Sequence, residues 1–307
     1  MCGLFGFSHY GDNKIKDLSE LTNALAIQSA VRGTDATGIA FCGKNGITIL
    51  KESKSAYMLD FKHSDDVKAI IGHTRHSTQG SEKKNCNNHP FSGKTQNARF
   101  ALAHNGIISN DKELKKKHKL PKTKIETDSY VAVQLLESRK SLNFNSIKYM
   151  AEQLDGSFSF SILDDKNNIY LVKGDSPLSI LHFPKLKLYV YASTEEILYK
   201  AFVDSPLFAD LKNGEFEEIE INEGDILKIR SDGKREKAEF EYTYYYGMKW
   251  WDYGIYEKSD KNSYITDLKS IAQCNGYSPD DIDHLLSEGF TLEEIEEYLY
   301  CGLGCEI

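Results

Sequence analysis

Cys2 sets a thiol and, once the initiator Met1 is removed, a free α-amine on the same residue. A thiol of ordinary pKa about 8.5 beside an amine of about 7.7–8.0 can hand over its proton directly or through one water. The pair is then a nucleophile with its own base. A small residue at position 2 favours removal of Met1 by methionine aminopeptidase, so its loss is expected. Hydrolysing an amide by acyl transfer also needs an oxyanion hole and groups that hold the charged ends of the substrate. In Ala103-His104-Asn105-Gly106-Ile107-Ile108-Ser109-Asn110, read as the exit of an apolar strand into a turn, the Asn105 side-chain amide and the Gly106 N–H can both point at one developing oxyanion. Gly72-His73-Thr74-Arg75-His76-Ser77-Thr78-Gln79-Gly80 ends another expected strand. There Arg75 can grip a carboxylate through paired bonds, and Thr78 can add a hydroxyl. Thr127-Asp128-Ser129 reads either as a helix N-cap or as the place where Asp128 meets a substrate ammonium.

These groups need strands and helices to position them. Residues 1–10 and 37–51 read as strands, the second as a hairpin turning at Lys44-Asn45-Gly46. Between them Leu18, Leu21 and Leu25 fall at helical spacing over 17–30. Further strands are expected at 68–75, 98–104, 157–163, 168–173, 178–183 and 187–192, with strand character again over 216–230. Helices are expected at 128–138 and 145–154, and a short one from Thr194-Glu195-Glu196. Many antiparallel strands with helices in separate blocks indicate an α+β layered domain.

The domain is expected to span 1–240, followed by an aromatic connector at 241–260 and a small acidic helical module at 261–307. The stretch 240–256 holds both Trp of the chain and reads as a last strand and connector, or as a docking surface rich in interface anchors. In the tail, Ser278-Pro279-Asp280-Asp281 is a helix start, and Thr291 to Glu294 is a capping box for a last helix. The net charge of −8 belongs to this tail, since residues 257–307 carry 12 Asp or Glu against 3 Lys or Arg. Neither part has the positive balance of a nucleic-acid binder, and no apolar run approaches the ~20 residues of a membrane span. Six scattered Cys and an N-terminus without signal-peptide features point to a reducing, cytoplasmic setting.

Six ordered segments resemble the class II glutamine amidotransferases: Cys2-Gly3-Leu4-Phe5-Gly6, Arg32-Gly33-Thr34-Asp35-Ala36-Thr37-Gly38, residues 72–80, Asn88-His89-Pro90-Phe91, His104 to Asn110, and Glu126-Thr127-Asp128-Ser129. The pattern is similar to the glutaminase domains of glucosamine-6-phosphate synthase and amidophosphoribosyltransferase. The resemblance implies a four-layer αββα N-terminal nucleophile fold. It implies that Cys2 attacks the glutamine amide to form a γ-glutamyl thioester, its α-amine serving as base, with Asn105 and Gly106 as the oxyanion hole. It further implies that Arg75 and Thr78 hold the substrate carboxylate and that Asp128, with the Gly106 region, holds its ammonium. Arg32 and His89 are implied to support the pocket and substrate around the nucleophile. His76 and Gln79 depart from the pattern of sugar-synthase relatives, which usually carry an aromatic residue after the Arg, and the pocket lid is expected to close differently.

The tail is far smaller than any acceptor domain of such enzymes. The expected function is therefore a stand-alone glutaminase that supplies ammonia to a separate synthase docking on residues 240–307. Two alternatives are a γ-glutamyl amide hydrolase acting on a peptide or small metabolite, and a catalytically inactive regulatory module on the same scaffold. No cofactor or metal is expected: Ser92-Gly93-Lys94-Thr95 lacks the strand-loop-helix setting of a phosphate loop, and Cys274, Cys301 and Cys305 lack zinc spacing. The Lys-rich stretch 112–124 reads as a solvated surface excursion.

Overall fold

The computed structural model describes residues 2–12, 15–43, 46–203, 216–242, 265, 269, 272, 277–288, 290 and 295. Alternation along β1 (Gly3–His9) shows how the layers arise. Leu4 turns to one face, while Phe5 and Phe7 turn to the other, where they meet Leu18, Leu21 and Leu25 of α1 (Leu18–Ser29). Because β1 is buried along its whole length, both faces must be covered. On the Leu4 side lies a second sheet.

The first sheet has the order β11-β9-β10-β1-β4-β2-β3. Its strands are β2 (Ala36–Gly43), β3 (Gly46–Glu52), β4 (Ala69–Arg75), β9 (Ser179–Phe183), β10 (Leu188–Ala192) and β11 (Glu217–Glu218), with β1 at the centre. The second has the order β13-β12-β8-β7-β6-β5. It comprises β5 (Phe91–Lys94), β6 (Arg99–Ile108), β7 (Gly156–Asp164), β8 (Ile169–Lys173), β12 (Asp225–Ile229) and β13 (Arg235–Glu239). Leu4, Ala40, Ile71 and Tyr191 of the first sheet pack against Ala101, Ala103, Leu163, Leu171 and Leu227 of the second. Helices α1 and α5 (Glu195–Val203) cover the outer face of the first sheet. Helices α3 (Tyr130–Glu137) and α4 (Phe144–Ala151) cover the outer face of the second, burying Phe158, Phe160 and Ile162. The result is the expected four-layer αββα sandwich.

Some local expectations change. The strand expected at 98–104 continues to Ile108, because β7 pairs with it all the way to Ile108↔Gly156. Asn105 and Gly106 are thus inside a strand and not in the turn anticipated for them. Ser92 to Lys94, the phosphate-loop look-alike, form the edge strand β5. The Lys-rich excursion contains helix α2 (Asp111–Lys117), and β13 had no counterpart in the sequence reading. Of the strand character at 216–230, only Glu217–Glu218 and Asp225–Ile229 are strand.

The chain divides into two compact units, Met1–Tyr245 and Tyr246–Ile307. In the first, Phe240 and Tyr242 join the core beneath α3 and α4. In the second, α6 (Pro279–Ser287) is capped by Ser278, as its sequence implies, and Ile282 packs with Ala272 and Ile295. The hairpin residues Lys44 and Asn45, most of the connector 241–260, the Thr291 to Glu294 capping box, and Cys274, Cys301 and Cys305 lie outside the described residues. No described helix is long and apolar enough to cross a membrane.

The start of β1 is pinned to the end of β10 by Ser193, whose buried Oγ accepts from Leu4 N at 2.8 Å while its own N donates to Leu4 O at 2.9 Å. Ser193→Ala leaves the Leu4 N–H buried without that partner and is expected to lower stability by about 1–3 kcal/mol. Urea denaturation checks this, and an unchanged midpoint contradicts it.

Candidate active site

Three segments converge on Cys2. It precedes β1, whose Gly3 pairs with Thr74 of β4. The Cys2 carbonyl accepts from Arg32 Nε at 2.7 Å, the arginine standing on a 3-10 turn (Ala30–Arg32) after α1. The Cys2 Sγ accepts from His76 N at 3.4 Å and lies 3.5 Å from His76 O. Gly33 permits this crossing: a Cβ there would sit 2.3 Å from the Arg75 carbonyl carbon. Burial pushes the Cys2 thiol above its ordinary pKa, opposed by the His76 N–H, the charged N-terminus and the Arg75 charge and reinforced by Asp128. Cys2, Arg75 and Asp128 therefore share one electrostatic environment, and the resting thiol is protonated near neutrality.

Arg75, the last residue of β4, is buried and already holds three acceptors. Its Nη1 donates to Asn88 Oδ1 at 2.7 Å; its Nη2 donates to Gln79 O at 2.8 Å and Gly80 O at 2.7 Å. A guanidinium grips a carboxylate bidentately through its Nε/Nη2 edge or its Nη1/Nη2 edge. Both edges use Nη2, so here the 79–80 loop carbonyls occupy the donors a substrate carboxylate would need. Thr78 is exposed in the same loop. The loop is in turn tied to the segment before Asp128: Gln79 Nε2 donates to Glu126 O at 3.0 Å, Lys84 pairs with the Glu126 carboxylate, and Asn87 Nδ2 donates to Glu126 Oε2 at 2.9 Å.

On the facing sheet, Asn105 is buried with its Nδ2 lacking a partner. Gly106 has φ +137, and a Cβ there would fall 2.0 Å from Ser157 O, so no larger residue fits. Asp128 does not cap α3. Its Oδ2 accepts from Ile108 N at 2.7 Å, and its Oδ1 accepts from Ser129 Oγ at 3.3 Å. The carboxylate thus fastens to the strand that carries Asn105 and Gly106.

Three buried histidines, His73, His89 and His104, lie close to one another. His73 Nε2 donates to His104 O at 2.9 Å, linking β4 to β6 next to Asn105. His104 Nδ1 is 2.8 Å from Ser129 Oγ. The His89 ring lies 4.1 Å from His73 and 4.3 Å from Phe91, centroid to centroid, with neither ring nitrogen bonded. Burial lowers the pKa of all three, His73 to about 3 and His89 well below its ordinary value. They are neutral near pH 7.

The structure thus brings Cys2, Arg32, Arg75 and Asp128 together, with Asn105 and Gly106 on the strand that Asp128 holds. Sequence reasoning assigned no role to His73, His104, Ser129 or Asn88. The available signal was a histidine inside an apolar strand run, as in Ile71-Gly72-His73 and Leu102-Ala103-His104. Among the described residues no group of His, Cys, Asp or Glu is arranged to hold a metal ion.

Residues 73–200 match a protein family described as "Glutamine amidotransferase domain". That stretch holds Arg75, Thr78, His89, Asn105, Gly106 and Asp128 and begins after Cys2 and Arg32. The chain is 35% identical over 191 residues to glutamine–fructose-6-phosphate aminotransferase (isomerizing) of Bacillus anthracis, covering 59% of this chain and 30% of that protein. It is 35% identical over 190 residues to the protein of that name from Staphylococcus aureus, again covering 30% of its length. The chain thus spans about a third of the length of these curated relatives. Among solved structures, glutamine phosphoribosylpyrophosphate amidotransferase from B. subtilis superposes with a TM-score of 0.61 at 21% identity, covering 79% of this chain and 50% of that one. A structure described as the allosteric regulatory enzyme of purine biosynthesis gives 0.60 at 22% identity. At such identities these likenesses speak for the fold.

The histidine stack makes stability pH-dependent. His73 titrates at about 3 when folded and at about 6.5 in an unfolded chain. Its folded pKa is depressed, so the unfolded chain binds more protons between those values. Stability is full above about pH 6.5 and falls as pH drops through that window. His73 alone is expected to make the protein about 2 kcal/mol less stable at about pH 5 than at about pH 7.5. Urea titrations at the two pH values measure this, and equal stabilities contradict a neutral buried stack.

Proposed function

The chain belongs to the class II glutamine amidotransferase family, and from that premise we propose that it hydrolyses the side-chain amide of glutamine at Cys2 and supplies the ammonia to a separate acceptor enzyme. The observation that carries this reading is the meeting of Cys2 and Arg75, from one sheet, with Asp128, fastened to the Asn105-Gly106 strand of the other. With Met1 removed, the Cys2 α-amine takes the Sγ proton as sulfur attacks the amide carbon. A base is needed because burial holds the thiol protonated. The oxyanion forms against Asn105 Nδ2, which has no other partner, and the Gly106 N–H. Collapse breaks the C–N bond, the α-ammonium returns the proton to the leaving nitrogen, and ammonia departs. Water then cleaves the γ-glutamyl thioester, with the amine again as base, giving glutamate and the free thiol.

Arg75 holds the substrate α-carboxylate, aided by the Thr78 hydroxyl, and Asp128 holds the α-ammonium. For a two-bond grip at the Nε/Nη2 edge one of the Gln79 and Gly80 carbonyls must withdraw from Nη2, so substrate entry moves the 76–80 loop. Arg32 fixes the Cys2 carbonyl and with it the direction of the nucleophile, and His89 backs the pocket through His73. Residues 240–307, aromatic at their start and acidic beyond, are the docking element for the acceptor enzyme, and the thiol chemistry fits a reducing, cytoplasmic setting.

Ammonia release from L-glutamine tests the reading. Cys2→Ala is expected to abolish turnover, and Asn105→Ala to lower kcat by about 10²–10³ through loss of one oxyanion donor. Full activity of Cys2→Ala contradicts the proposal, whereas an inert wild type that cleaves γ-glutamyl amides of peptides moves the substrate and keeps the nucleophile.

A further inference from the structure

Arg75 needs a fixed support that does not use the edge it offers to substrate. Two of its three acceptors, the Gln79 and Gly80 carbonyls, belong to the loop that must withdraw. The third is Asn88 Oδ1, 2.7 Å from Nη1. A single bond at Nη1 leaves the Nε/Nη2 edge free for a carboxylate once the loop moves.

Asn88 is built to stay. It is fully buried, and its Nδ2 faces three acceptors: Glu82 O at 2.9 Å, Ser53 Oγ at 3.1 Å and Asn85 Oδ1 at 3.1 Å. A flipped amide would set nitrogen against the Arg75 donors and oxygen against those three acceptors, so the network permits one orientation. The backbone is clamped as well, since Lys51 Nζ donates to Asn88 O and, at 3.0 Å, to Pro90 O. That ammonium lies over the Phe91 ring and is drawn down to a pKa of about 8 by burial. Support therefore passes from Lys51 of strand β3 and Ser53 just beyond it to Asn88 and on to the guanidinium.

Resting on the reading of Arg75 as the carboxylate anchor, we propose that Asn88 is a positioning residue that pre-sets the Arg75 guanidinium and so determines selectivity for substrates carrying an α-carboxylate. Asn88 touches no substrate; it acts through Arg75. An unsupported Arg side chain must lose its rotamer freedom at each binding event, whereas one already held by Asn88 has little left to lose.

The test compares L-glutamine with 4-aminobutanamide, which keeps the amine and the amide and lacks the α-carboxylate. Asn88→Ala is expected to raise KM for glutamine on the order of tenfold with kcat changed less than about threefold, and to lower the glutamine-to-4-aminobutanamide ratio of kcat/KM by a similar factor. In an Arg75→Ala background the same change is expected to move that ratio less than about twofold, because the group through which Asn88 acts is gone. Equal losses on both substrates, or additive losses in the double variant, overturn the proposal by reducing Asn88 to a structural part. Should Asn88→Ala not fold, Lys51→Met, which frees the Asn88 backbone and keeps its side chain, must lower the ratio in the same direction, and an unmoved ratio overturns the proposal. A wild type that does not favour glutamine over 4-aminobutanamide overturns the reading of Arg75 itself, whereas a selective wild type matched by Asn88→Ala overturns Asn88 alone.

Discussion

The hydrogen bond from His73 to the His104 carbonyl is the constraint on which the site depends. The proposed nucleophile and carboxylate anchor belong to one sheet and the proposed oxyanion donors to the other, and apolar packing between sheets is non-directional. Leu4, Ile71, Ala101 and Ala103 can hold two sheets together without fixing their register to the fraction of an ångström that a reacting centre needs. A directional bond whose acceptor is the peptide carbonyl leading into Asn105 supplies that register. It lies two residues before Arg75 on one strand and one residue before Asn105 on the other, so displacement of either strand is felt at once in the site.

That bond needs a neutral imidazole in a dry place. His89 packs at a tilt on His73, and His104 stacks on Phe160, which removes water and lowers the basicity of the whole group. Arg75 and Asp128, both buried, act on the thiol with opposite sign, one favouring the thiolate and the other opposing it. With burial added, the balance leaves a neutral thiol at rest that requires proton transfer during attack. In the proposed reaction an N-terminal amine on the same residue would meet this requirement without a separate base.

Much of this was legible in the chain. Cys2 stood out by position, Arg75 and the Asn105-Gly106 pair followed apolar strand runs, and Asp128 stood where a helix was expected to begin. The αββα layering was tolerated by the strand pattern and specified by the family resemblance. What escaped depends on partners distant in sequence. β6 runs through Asn105-Gly106 because β7 pairs there, and no local signal predicts that an Asn-Gly pair will stay extended. The His73 bond spans 31 positions, and Asn88 is remote from Arg75 until the 79–87 loop folds between them. Helix α2 was hidden by its lysines, because only Leu114 among its residues is a buried apolar side chain.

The central claim is that Cys2, freed at its amine, is a nucleophile in a glutamine-shaped site. Intact mass of the full chain after incubation with 6-diazo-5-oxo-norleucine, a glutamine analogue that alkylates an attacking thiol with loss of N2, measures it most directly. The expected result is a protein lacking Met1 that gains one adduct, absent from Cys2→Ala. A chain that retains Met1 and takes up no adduct contradicts it.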